Sequence, residues 1–408
     1  MYFPADEYEH RWSLLEEELT RLGYDAAVIW QRTGGSYDRA GNVWYLTNYA
    51  SHASGQEASC GANPIGRSFA AVLARKGHAP ELHISDPVHT VERQYVAVED
   101  IHDHVENLPA GIAARLNELG IEGRVAYLGD DFLPVQIHRI LTEQTPAIEW
   151  VPEEYLLYEI QCEKSAREIE LFREAGLIAG NALSAFVEAL LSGQRQCDAA
   201  AEAASIVIRA GGGFQRLGCH TGERSELAMW DYPLYGYSKE APKPGDMVRA
   251  WVYGPVLEGY WVDPGRTSVC GRSPSPERKR LIESTVELTE RIIAEVKPGN
   301  TPRQAGTIGD RYASEMGYGT EMGGALWHLY GHGLSTYFHG PIIPSHGAAT
   351  FEADDGWWNV DRPFTANQVF TVETCVQEPG VGMASFEEIL LIGDDGPERL
   401  SKTPMLIW

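Results

Sequence analysis

The chain has 408 residues, a formal net charge of −25 at pH 7, 43% hydrophobic and 22% charged residues. That length exceeds one ordinary core, so two domains are expected, and the composition is that of a folded chain, not a disordered one. No basic run offers the positive footprint that nucleic acid requires; the negative field instead favours a cationic or zwitterionic small molecule as partner.

The N-terminus, MYFPADEYEHRWSLLEEELTRLG, lacks a basic segment followed by an apolar core, so it is not read as a signal peptide. Residues 7–23 place apolar side chains at helical spacing and end in glycine. Strands are expected at 25–30, 43–49, 69–74 and 80–85, where β-branched and aromatic residues cluster between turn signals. A helix at 107–119, a strand at 124–129, a helix at 132–143 and a strand at IEWV complete an α/β domain over residues 1–157. Between them, residues 50–67 form a long Gly, Ser, Ala and Asn segment, either a mobile surface loop or an active-site gate.

A second domain, 158–408, opens on a long amphipathic helix whose start reads as a capping box, Ser165 with Glu168 three residues on. A further helix spans 197–210, and RAGGGF after it reads as a helix end and turn; a phosphate loop would precede a helix instead. Strands at 214–221, 246–254, 258–263 and 266–271, helices at 275–296 and 302–316, and strands near 326–331, 368–376 and 382–393 follow. This alternation predicts α+β layers, with helices on one face of a curved antiparallel sheet. No apolar run is read as long enough to span a bilayer, so no membrane partner is expected. The six cysteines (60, 162, 197, 219, 270 and 375) form no C-x-x-C pair and are read as reduced thiols of a cytoplasmic protein.

Four metal-ligating residue types sit in strand or strand-edge contexts of the second half: Asp263 in GYWVDPGRT, His332 in YGHGL, Glu373 in VFTVETC and Glu387 in SFEEILLI. Carboxylates among apolar neighbours are rare unless paired, because burying a lone charge is costly. One imidazole and three carboxylates make a nitrogen and oxygen site suited to one divalent ion, Mn, Fe, Co or Zn, with no ion at all as the other possibility. The bland alternative is that each is solvent-facing or paired with Arg249, Arg266 or a lysine.

Taken in order, KSAREIELFREAG, GD-x-V, GY-x-x-D-x-x-RT, GHGL-x-x-x-x-HGP, TVE and E-E-x-L-L-I resemble the pita-bread metallopeptidase family of creatinase, prolidase, aminopeptidase P and methionine aminopeptidase. The resemblance spans residues 160–408 and, more weakly, the N-terminal domain, which looks like that of creatinase and prolidase. It implies a pita-bread catalytic domain behind an α/β creatinase-type domain, and a homodimer, with the 50–67 loop as a candidate contributor to its active site. It further implies that Asp263, His332, Glu373 and Glu387 are metal ligands, that Glu373 shuttles a proton as general base and acid, and that His339 binds substrate and steadies an oxyanion.

Four positions depart from the pattern of one or another family member. Where a first ligand Asp belongs, eleven residues before Asp263, the chain has Val252, which implies a mononuclear site. Gly265 stands where creatinase carries a glutamate. Asp231 and Ser385 replace a substrate-holding His and Arg of the prolyl peptidases. With Trp230, Tyr232 and other aromatics around Asp231, the expectation is a pocket for a small cationic or zwitterionic compound. The expected reaction is hydrolysis of its amide or amidino-like C–N bond. The alternatives are an Xaa-Pro dipeptidase or aminopeptidase, a metal-dependent lyase of a sulfonium zwitterion of the dimethylsulfoniopropionate type, and a non-catalytic binding protein.

Overall fold

A computed structural model of the protein describes residues 2–33, 39–51, 65–213, 216–227, 236–318, 329–352 and 359–408, with the backbone alone at 216, 226, 227, 338 and 339. The chain divides into two compact units, Met1–Gln161 and Cys162–Trp408. The break lies four residues (161 − 157) beyond the boundary expected from sequence.

The first unit comprises α1 (Ala5–Leu22), β1 (Ala26–Arg32), α2 (Gly41–Thr47), β2 (Phe69–Arg75), β3 (Glu81–Ile84), β4 (Ile101–Asp103), α3 (Leu108–Glu118), β5 (Gly123–Leu128), α4 (Val135–Gln144), β6 (Ile148–Pro152) and α5 (Tyr155–Cys162). Its sheet runs β4-β3-β2-β1-β5-β6, mixing parallel and antiparallel pairs. Along β1, Ala27 and Ile29 join a core with Leu15, Leu19 and Leu46. Val28 and Trp30 join another with Ile112, Leu116 and Leu141. Alternation on a sheet covered on both faces makes β1 read as an unbroken apolar run.

Of residues 43–49, expected as a strand, 43–47 lie in α2 instead and Asn48 caps it. Short runs rich in aromatic and β-branched residues do not distinguish the two states by period. Tertiary contacts decide here: Trp12 Nε1 and Arg11 Nη1 donate to the carbonyls of Leu46 and Tyr45, at 2.9 and 2.7 Å.

The second unit holds α6 (Ala166–Leu191), α7 (Gln196–Arg209), β7 (Arg216–Thr221), α8 (Arg224–Leu227), β8 (Met247–Leu257), β9 (Tyr260–Val262), β10 (Gly265–Val269), α9 (Pro276–Ile293), α10 (Pro302–Glu315), β11 (Leu329–Leu334), β12 (Phe338–Pro344), β13 (Val369–Glu378), β14 (Gly382–Gly393) and β15 (Gly396–Arg399). Every pairing in its sheet, β12-β11-β13-β14-β10-β8-β7 with β15 beside β14, is antiparallel. Phe370, Val372, Val376, Phe386 and Leu390 pack with Leu281, Leu288 and Ile292 of α9. The alternate residues of β13 and β14, among them Glu373 and Glu387, therefore point to the other face.

By length and composition α6 could cross a membrane, contrary to the sequence reading, but 67% of its most apolar window is buried inside the fold. Its start is the capping box expected: Glu168 N–H donates to Ser165 Oγ at 3.1 Å, and Ser165 N–H to Glu168 Oε2 at 2.9 Å. Ser165→Ala should cost about 1 kcal/mol; urea denaturation reads it, and an unchanged midpoint would deny the cap any role. Residues 209–213 are the end of α7 and a turn, as the residues suggested, and Phe214 lies outside the described residues.

Candidate metal centre

Strand alternation and register bring the four acceptors together. Glu373 and Glu387 are cross-strand partners in β13 and β14. Gly265 of β10 pairs with Glu387, which sets Asp263, in the bend between β9 and β10, beside that pair. Trp261 N–H donates to Ser335 O at 2.8 Å, tying this bend to the segment after β11, which carries His332. One ligand atom from each of Asp263, His332 and Glu387 lies within 4.8 Å of the others. His332 Nε2 is 4.0 Å from Glu373 Oε1 and 3.9 Å from Glu387 Oε1.

The electrostatics of this cluster suit a cation. Burial pushes the His332 imidazole down to about 4, against the opposing pull of the Gly333 carbonyl, so the ring is neutral at pH 7. Its Nδ1 lies 3.1 Å from Gly333 O, a hydrogen bond only if Nδ1 carries the proton. Nε2 then turns a bare lone pair toward carboxylate oxygens. Burial, then the charges of Asp263 and Glu373, push the Glu387 carboxyl well above its ordinary range. Its Oε1 is buried and accepts no hydrogen bond among the described residues. Lone pairs facing lone pairs are unfavourable without a positive centre between them. Ligands bonded at about 2.0–2.2 Å stand about 3–4.4 Å apart, the spacing found here. The donor set fits a divalent metal ion.

The bland alternative fails for Arg266, which is taken by another carboxylate. Its Nη2 lies 2.5 Å from Glu388 Oε2, with both side chains fully buried. Glu388 adjoins Glu387 in sequence and so faces the opposite side of the sheet. Arg249 donates to Ser225 O at 3.1 Å, with its guanidinium 5.1 Å from the Trp251 ring.

Val252 is fully buried in β8, its N–H donating to Pro264 O at 3.2 Å. Beside it, a Cβ on Gly265 would come within 2.1 Å of Trp251 Nε1. The indole therefore lies over Gly265, a contact that no larger residue there would allow. Trp251 was not singled out from sequence, although a large aromatic and an unsubstituted glycine on neighbouring strands were legible as such. Ser385 N–H donates to Thr267 Oγ1 at 2.8 Å, leaving only a short hydroxyl at that strand position.

His339 lies in β12, its backbone paired with Gly333. Asp231, Trp230 and Tyr232 and most of the 50–67 segment lie outside the described residues. Tyr237, from the same aromatic stretch, accepts a hydrogen bond from Leu217 N–H at 3.3 Å.

Metallopeptidase family M24 matches residues 170–394, more than half of the chain and all four acceptors. The chain belongs to this family. Over 290 residues it is 26% identical to a Xaa-Pro dipeptidase of Pyrococcus furiosus, covering 70% of this chain and 74% of that one. A methionine aminopeptidase A of a Synechocystis species is 30% identical over 246 residues, 58% of this chain and 87% of the relative. The prolidase of Pyrococcus horikoshii superposes with a TM-score of 0.76 at 20% identity, covering 97% of this chain and 100% of that one. The fold is thus the pita-bread fold with an α/β N-terminal domain. The chain is thus a metal-dependent hydrolase of a family that uses divalent ions.

Proposed function

We propose that this M24 chain hydrolyses a C–N bond, amide or amidino-like, in a small polar substrate of cationic or zwitterionic character, using a single divalent ion. The ligands are Asp263, His332, Glu373 and Glu387. The observation that carries this reading is the convergence of a neutral imidazole lone pair and the Glu373 and Glu387 carboxylates at 3.9–4.0 Å. A divalent ion there supplies Lewis acidity, activating water and polarising the scissile carbonyl.

The chain's own groups divide the remaining work. Glu387, at 3% exposure, is a ligand shut away from solvent, whereas Glu373, at 17%, reaches the open side and moves the proton. His339 holds the developing oxyanion from β12. Val252 in place of a carboxylate leaves too few ligands for a second ion. The net charge of −25 supports a substrate with a cationic group.

Metal content and turnover test this together. Protein loaded with Mn, Fe, Co or Zn in turn should hold one ion at this centre, and chelation should abolish hydrolysis. A panel of amidino and betaine-like amides should outperform Xaa-Pro dipeptides; the reverse ranking would make the chain an ordinary prolyl dipeptidase. An alkene product would assign it to elimination instead. Val252→Asp should restore the missing carboxylate and raise the count at this centre from one ion toward two, read by elemental analysis. An unchanged count would show that Val252 does not limit it.

A further inference from the structure

The first unit contains a second group of ligating side chains. β3 carries Glu81 and His83, and the adjoining segment and β4 carry Asp100 and His102, an acid-x-His element on each of two neighbouring strands. In the parallel pairing of β3 with β4, His83 stands opposite His102. Their rings stack with centroids 4.9 Å apart, 12° from parallel. The period of two puts each acid on the same face as the histidine that follows it. Ligand atoms of Glu81, Asp100 and His102 lie within 4.8 Å of one another, and His83 adjoins this group through Glu81.

The separations of Glu81 from the two histidines and of His102 from Asp100 suit ligands sharing one ion. Glu81 Oε2 lies 3.6 Å from His83 Nε2 and 3.5 Å from His102 Nε2, too long for ordinary hydrogen bonds. His102 Nε2 lies 3.0 Å from Asp100 Oδ1. A tetrahedral ion with bonds of about 2.0–2.1 Å holds its ligand atoms about 3.3–3.4 Å apart, in the middle of this range. His83 is fully buried, and its Nε2 has no hydrogen-bond partner.

The surroundings are those of a built site. His83 Nδ1 lies 2.9 Å from His104 Nε2, a hydrogen bond that orients the ring and, when donated by His83, leaves Nε2 as an acceptor. His104 fits because residue 111 of α3 is glycine; a Cβ there would fall 2.0 Å from its Nδ1. The other oxygen of Glu81 is held by Arg75 at 2.8 Å and Arg115 at 3.2 Å, and Arg115 Nε also reaches Oε2 at 2.8 Å. These contacts leave the second lone pair of Oε2 for the histidines.

We propose that Glu81, His83, Asp100 and His102 form a structural site for a borderline divalent ion such as Zn²⁺, distinct from the centre around Glu387. A four-ligand set of this kind is closed. It clamps β4, an edge strand of three residues, to the rest of the sheet.

The probes are Zn²⁺ by calorimetry and Co²⁺ by visible absorption, on the metal-stripped full chain. Three variants are compared with the parent: Glu387→Gln, His102→Gln and Asp100→Asn, the last at a side chain 57% exposed and so harmless to folding. Glu387→Gln should retain one tightly bound ion whose Co²⁺ spectrum has tetrahedral intensity. His102→Gln and Asp100→Asn should each weaken that ion about 10-fold or more, with circular dichroism unchanged for Asp100→Asn. If the Glu387→Gln chain binds no such ion, or binds one indifferent to both N-terminal variants, the site does not exist and Glu81 is simply the buried partner of its arginines and histidines.

Discussion

Glu387→Gln is expected to abolish hydrolysis and to weaken the catalytic ion about 100-fold or more, since even residues that merely orient ligands contribute 10- to 100-fold to affinity. The same substitution should make the metal-free protein more stable. Its carboxyl is buried against Asp263 and Glu373, and its folded-state pKa lies well above the ordinary 4.5. A group whose pKa is raised binds more protons in the folded chain than in the unfolded one, so stability falls as pH rises. In the metal-free parent that loss begins near pH 4.5 and continues toward the folded pKa. Gln has no proton to lose and removes this slope. Thermal melts of chelated parent and variant between pH 4 and pH 8 read the difference (about 4 being the ordinary carboxyl range). A variant that melts lower than the parent across that range would mean that the four side chains are not held in electrostatic tension, and the argument for a cation would collapse.

The second large effect concerns Arg266, which lies under the same ligand on the opposite face. Its guanidinium donates to the carbonyls of Gly265, Glu387, Thr403 and Pro404 at 2.8, 2.5, 2.7 and 2.9 Å, besides the ion pair with Glu388. Burial lowers the Arg266 pKa, and the Glu388 carboxylate offsets that. Glu388 in turn accepts from Ile389 N–H at 3.0 Å and from Ser401 Oγ at 3.0 Å. Removing one partner from such a pair leaves an uncompensated buried charge, so Glu388→Ala should cost about 3–5 kcal/mol in chemical denaturation. Replacing both partners with apolar residues of similar volume should cost much less, because no charge is then stranded. A loss below about 1 kcal/mol for Glu388→Ala would show that water reaches the pair. Since Arg266 also grips the Glu387 carbonyl, the metal affinity of Glu388→Ala should fall together with its stability.

Both predictions rest on residues that could be found before any coordinates, though not for the same reason. The TVE and E-E-x-L-L-I strings place acids on apolar strands, where alternation with Phe370, Val372, Phe386 and Leu390 leaves Glu373 and Glu387 on the face away from α9 and Glu388 on the other. Ser165 and Glu168 announce the start of α6 because capping is a local interaction spanning three residues. The strand expected at 43–49 failed for the complementary reason. Its local pattern suits either state, and carbonyl contacts from Arg11 and Trp12 on α1 settle it as a helix.

The sequence by itself determined the family order of motifs, the identity of the four acceptors and the absence of a carboxylate at Val252, because each is a matter of residue type at fixed spacing. Only the tertiary structure decided that Arg266 belongs to Glu388 and not to Glu387, that the Trp251 indole covers Gly265, and that two acid-x-His elements meet on β3 and β4. The physical reason is the same in each case. Which side chains touch across a sheet depends on strand order and register, and these are fixed by burial and hydrogen bonding summed over the whole fold, not by the residues of any one strand.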